Sequence, residues 1–198
     1  IGELPVLSKY GNTFLGWKDE HGVYYTNNTV WQRTSNLTLF SDFKKNEYAI
    51  TYIGNGGTPS KEMQSVEFES VVTELAVAER AGHTFTGWNT RADGTGDTIA
   101  APYVYNVAED MTLYAQYAAN VYVATFDKQG GIEGADGVEA EFGLPMPEGS
   151  DITAPILRGC TFRGYYSGKE GTGTKYYNAD MTSAHDWDIA STATLYAY

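Results

Sequence analysis

Three short stretches of the chain alternate in side-chain character in the same way. The runs Thr13 to Trp17, Thr84 to Trp88 and Thr161 to Tyr165 each place an aromatic (Phe14, Phe85, Phe162) two positions before a glycine (Gly16, Gly87, Gly164). A second aromatic follows at once (Trp17, Trp88, Tyr165). β-Branched and aromatic residues in alternation predict strands, and a glycine inside such a strand marks a bulge or a close backbone approach. Each run is followed by a second alternating stretch carrying Leu39-Phe40, Leu113-Tyr114 or Leu195-Tyr196. In the middle copy Leu113, Ala115 and Tyr117 share one face and Tyr114 takes the other. Phe85, Leu113 and Ala115 are therefore expected in one core, and Phe162 and Leu195 in the next. Trp88 falls on the face opposite Phe85, beside Tyr114, unless a bulge at Gly87 turns it inward.

These pairs of strands mark an internal repeat. A matching opening strand precedes only the second and third copies, from Tyr48 to Gly57 and from Val121 to Gly131. The chain divides into a module at 1–43 that lacks its opening strand, a module at 48–117 and a module at 122–198. Lys44 to Glu47 and Ala118 to Val121 are the linkers, short and without a Gly/Ser tract, so free swinging is not expected. The missing strand should leave the first module with unpaired edges and an exposed apolar face, to be filled by upstream residues or a neighbouring molecule. Thr73 to Gly82 predicts the best helix, with Thr73 as N-cap and Gly82 past its end, while Ser8 to Gly11 and Pro155 to Gly159 allow about a turn at most. Asp93 to Gly96 and Glu170 to Gly173 predict hairpin turns.

From the motif Phe to the closing Leu the separations are 25, 28 and 33 positions. Strands that persist while loops change length describe a scaffold rather than a catalytic site shared by the copies.

Composition narrows the picture. The 198 residues carry 25 acidic and 13 basic side chains, a formal net charge of −12. Such a surface repels phosphate backbones and anionic lipid, which argues against nucleic acid as a partner. The single cysteine, Cys160, excludes an internal disulfide and any multi-cysteine metal site. No apolar run reaches the roughly 18 residues of a membrane span, so direct insertion is not expected. The start at Ile1-Gly2-Glu3 does not read as a signal peptide, and the sequence is taken as a fragment of something longer.

Candidate chemistry is sparse. Gly-x-Ser-x-Gly, Walker and His-Glu-x-x-His motifs are missing, and Gly164 to Lys169 has the wrong spacing for a phosphate loop. His21, His83 and His185 are not equivalent in the repeat; His83 aligns with Asn12 and Cys160. Asp93 to Asp97 lacks the alternating oxygen ligands of calcium loops and reads as a turn. No catalytic, cofactor-binding or metal residue is assigned. The one candidate for a ligand contact is Trp187, in a long segment of the third module with Asp180, Asp186 and Asp188; a Trp covering its own loop is the competing reading.

The repeated residues resemble the Listeria–Bacteroides repeat, also called the internalin B-repeat. Asn55-Gly56-Gly57, the Gly82 to Trp88 run and the Thr112 to Tyr117 run carry the pattern in the second module. The third departs at Gln129 and Tyr165, the first at Phe40 to Phe43, and the final Trp is Phe or Tyr throughout. The resemblance implies a β-rich α+β fold, small ubiquitin-like β-grasp modules in an extended tandem array of about 80 Å. In such a module the first and last strands are parallel neighbours. It implies a non-enzymatic array on a secreted or cell-surface bacterial protein, without cofactor. Two functions follow. One is a stalk or spacer whose partners are adjacent domains of the parent protein; the other is an adhesive module binding a host protein or glycan.

Overall fold

The computed structural model of the chain describes residues 2–32 and 34–198. Ile1 and Arg33, both inside the expected first module, lie outside the described residues. The chain forms two compact units, one of residues 1–55, 59–77 and 87–116, the other of residues 56–58, 78–86 and 117–198.

The first sheet has three antiparallel strands in the order Tyr24–Tyr25, Asn12–Lys18, Phe40–Lys45. Its register slips between Phe14 and Gly16. Gly16 has φ +136°, Gly87 +139° and Gly164 +136°, a region closed to residues with a β-carbon, so all three motif strands bend at their glycine in the same way. Among the described residues no strand covers the outer edge of Phe40–Lys45. Leu39 stays partly exposed and Phe40 exposed, whereas Leu113 and Leu195 are fully buried.

The second sheet has five strands in the order Thr98–Ile99, His83–Asn89, Met111–Ala119, Glu47–Ile53, Met63–Glu67. The third repeats it as Lys175–Asn178, Gly164–Tyr166, Ala193–Ala197, Val121–Asp127, Gly137–Glu141. In each the opening and closing strands are parallel neighbours, with Leu113 opposite Tyr52 and Leu195 opposite Phe126. That is the adjacency the family resemblance implies. The opening strand of each then folds back antiparallel on the strand that follows it. Asn55 and Gly56, and Gln129 and Gly130, take positive φ just after these opening strands, which explains the first glycine of each Gly-Gly pair.

The cores form on the predicted face of the closing strands: Leu113, Ala115 and Leu195 are all buried. Three expectations are corrected. First, Phe85 and Phe162 are only partly buried. The glycine bend instead turns the next aromatic inward, so Trp88 and Tyr165 occupy the core, Trp88 against Tyr52 and Tyr165 stacked on Phe126. Second, Thr73 to Gly82 is not a helix. Val72, Ala76 and Ala78 are buried while Val77 is exposed, and Ala78–Glu79 is a short strand. The carbonyl of Ala76 accepts from the Trp88 indole at 2.5 Å, so tertiary pairing overrides the helical propensity of the alanines. The described residues hold only the 3-10 turn Lys169–Gly171, and the fold is β-rich rather than α+β. Third, the expected four-residue linkers are largely strand. Only Asn46 stands between Lys45 and Glu47, and only Asn120 between Ala119 and Val121.

Candidate functional site

The two asparagines that separate consecutive sheets sit in identical settings. The amide of Asn46 donates to the carbonyl of Gly11, and the carbonyl of Asn46 accepts from the amide of Phe68, both at 2.9 Å. The amide of Asn120 donates to Gly82 and its carbonyl accepts from Phe142, again both at 2.9 Å. The asparagine side chains repeat too. The Oδ1 of Asn46 accepts from Thr13 and that of Asn120 from Thr84, both at 2.5 Å. Their Nδ2 groups donate to Tyr48 and Tyr122, at 3.3 and 3.2 Å. Every polar group on each asparagine side chain thus has at least one partner, which fixes its rotamer.

Beneath each joint a phenylalanine ring fills the space that a side chain at the glycine would need. A β-carbon on Gly11 would strike the ring of Phe68, and one on Gly82 the ring of Phe142. Both glycines are left-handed, φ +68° and +71°, so two independent constraints demand glycine there. Tyr10 meets Phe68 edge-on with ring centroids 5.4 Å apart, and its hydroxyl accepts from the amide of Ala108 at 3.0 Å. His83 meets Phe142 edge-on at the same 5.4 Å. These are packing contacts, not reactive ones.

The candidate ligand residue does not survive. Trp187 is 0% exposed, within a core of Tyr176, Tyr177, Met146 and Met181, so it shows no ring face to a sugar or peptide. It covers its own loop: its amide donates to Leu144 and its carbonyl accepts from Gly143. The carboxylates nearby are engaged structurally. Asp188 accepts from the Tyr176 hydroxyl and lies 3.2 Å from His185; the Tyr176 bond, more than His185, holds it below the usual carboxylate range. Asp180 accepts from the hydroxyl and amide of Thr182.

The other candidates are equally local. Asp93 accepts from the amide and hydroxyl of Thr95, a turn that lowers its pKa. Cys160 is a free, exposed thiol. In the first sheet Lys18 reaches Asp42 at 2.6 Å and Tyr24 donates to the same carboxylate; the Lys18 bond first, then Tyr24, hold Asp42 below its ordinary value. Among the described residues no three His, Cys, Asp or Glu side chains gather as a metal site would require. No helix among them is long and apolar enough to cross a membrane.

Of the repeat signature in the first sheet, the Phe14 ring meets both Trp17 and Phe43. What the motif reading missed are the asparagines and their phenylalanines. A signal was there: each asparagine precedes a tyrosine by two positions, and each phenylalanine follows that tyrosine by twenty.

Comparison with known proteins adds identity to this geometry. The model of the Listeria-Bacteroides repeat domain matches residues 48–116 and 122–198. A protein of Evansella cellulosilytica, provisionally named a membrane protein, is 30% identical over 201 residues, covering 100% of this chain and 28% of its own length. A second from the same organism, provisionally named a glycine-rich membrane protein, is 31% identical over 91% of this chain and 21% of its own. Internalin H of Listeria monocytogenes is 29% identical over 79% of this chain and 30% of its own. The chain therefore spans less than a third of any of these relatives. No solved structure matches it.

Proposed function

Because the chain belongs to the Listeria-Bacteroides repeat family, we propose that it is a non-catalytic spacer: an extracellular array of small β-grasp modules, at 1–43, 48–117 and 122–198, that carries other domains of a bacterial surface protein outward. The observation that carries this reading is the recurrence of one joint, Gly11-Asn46-Phe68 and Gly82-Asn120-Phe142, between sheets whose loops differ in length. An adhesive patch needs one surface kept free; a spacer needs one junction kept the same. The parallel opening and closing strands support the β-grasp assignment. The names of the relatives, two provisionally called membrane proteins and one internalin, support a place at the cell surface. The competing adhesive reading has lost Trp187, its best residue, to the core.

The test is binding and turnover by the 198-residue chain. Spread over arrays of host glycans and matrix proteins, it should show no saturable binding, and it should turn over no glycan, peptide or ester. Saturable binding abolished by Trp31→Ala, an indole 44% exposed in the first unit, would replace the spacer by an adhesin.

A further inference from the structure

The two seated phenylalanines have a third, unfilled counterpart site. Gly159 occupies the motif position of Gly11 and Gly82 and shares their left-handed backbone, at φ +83°. Gly11 and Gly82 are buried under rings; Gly159 is exposed, and a β-carbon there would meet nothing within 4 Å. A groove beside it is lined by Ile156, Leu157, Cys160, Phe162 and Tyr198 together with the polar Lys128 and Gln129, and Ile156 and Leu157 remain 54% and 44% exposed. Contiguous exposed apolar groups of this kind mark contact surfaces.

We propose that the face around Gly159 is an acceptor for a further repeat in tandem. That repeat would seat the phenylalanine at the end of its second strand over Gly159, with an asparagine at the crossing, as at Asn46 and Asn120. Continuity with two filled sites of the same build identifies the occupant. A second copy of this chain is the poorer fit, because Phe68 and Phe142 are already seated in their own joints and the first sheet has no opening hairpin to offer. The inference rests on the tandem-array reading but not on the choice between spacer and adhesin: the binding assay above decides that choice and leaves the following experiment unmoved.

Cys160 reports occupancy, since its counterpart His83 packs directly on Phe142. The chain is lengthened after Tyr198 by a second copy of residues 117–198, which keeps the repeat in register, with the added copy's own Cys160→Ser. The rate of Cys160 with Ellman's reagent is then compared with that of the 198-residue chain and of a chain lengthened by residues 117–120 alone. Seating should slow the thiol at least about tenfold, through burial, and Phe142→Ala in the added copy should restore most of the rate. The near-ultraviolet signal of the added copy's buried Trp187 shows whether that copy is folded. A folded copy with an unprotected thiol overturns the proposal. So does protection that survives Phe142→Ala or that residues 117–120 alone produce. An added copy that stays unfolded also counts against it, because the acceptor face then contributes nothing to the repeat beside it.

Discussion

The ring of Phe142 lies so near the α-carbon of Gly82 that no β-carbon fits between them. Phe68 and Gly11 share that relationship, while Gly159, with the same backbone, has no ring above it. Alanine at any of the three meets backbone strain of about 1 kcal/mol. At Gly11 and Gly82 it also overpacks a ring, adding about 1–3 kcal/mol. Urea midpoints should therefore fall clearly further for Gly11→Ala and Gly82→Ala than for Gly159→Ala. Equal losses at all three would mean that the rings yield and the joints are soft.

The asparagine at the crossing is expected to matter through its side chain. Asn120→Ala removes the acceptor of Thr84 and the donor to Tyr122, a loss of about 1–2 kcal/mol. In a double-mutant cycle with Thr84→Val, the coupling should be about 0.5–1.5 kcal/mol. Additive effects would show that the bond contributes nothing.

Two buried tyrosines of the third sheet should respond oppositely to losing a hydroxyl. Among the described residues the Tyr165 hydroxyl has no hydrogen-bond partner, whereas that of Tyr177 donates to the Pro147 carbonyl at 2.6 Å. Tyr165→Phe should be neutral or stabilising by up to about 1 kcal/mol, and Tyr177→Phe destabilising by about 1 kcal/mol. Thermal melts of the two variants check the signs.

The same tyrosines set an alkaline limit. Burial pushes Tyr105 and Tyr165 up to about 12 and raises Tyr176 and Tyr177 as well. In the unfolded chain they ionise near pH 10. Between that value and the folded one, the native state holds more protons than the unfolded state, so stability falls as pH rises. Melting temperature should be insensitive to these groups below about pH 9 and decline above about pH 10. A flat profile to pH 11.5 would show that the hydroxyls reach solvent.

Leu113→Ala should cost about 2–5 kcal/mol, as a cavity in a closed core does. The equivalent Leu39→Ala should cost less than half as much, since Leu39 keeps solvent contact beside the uncovered edge of Phe40–Lys45. Denaturant midpoints of the two variants give the ratio, and a Leu39 loss equal to that of Leu113 would show its core to be closed.

Much of this architecture was legible before any coordinates. Leu113 and Ala115 alternate plainly enough to declare their face, and the three motif glycines announce a bend. The bend itself was harder to follow. Strict alternation favours Phe85 for the core, but φ +139° at Gly87 shifts the strand by one side and gives the interior to Trp88. The stretch from Thr73 to Gly82 looks helical because alanines suit helices. Its burial follows pairing with residues distant in sequence, which propensity cannot see. Trp187 looked like a ligand contact because acidic residues flank it, yet Asp188 points to Tyr176 and Asp180 to Thr182 while the indole turns inward. Asn46 and Asn120 were hidden by being read as linker, a category in which single side chains are not weighed.

The parallel pairing of opening and closing strands has a mechanical meaning. Pull on a repeat through the asparagine before its first strand and the residue after its last, and the two neighbours slide past each other along their length. The four rungs from Met111–Ile50 to Tyr114–Ile53 then carry load together, in shear, instead of parting one by one as a hairpin unzips. With a single residue at each crossing, little slack is available to absorb a tug before those rungs feel it.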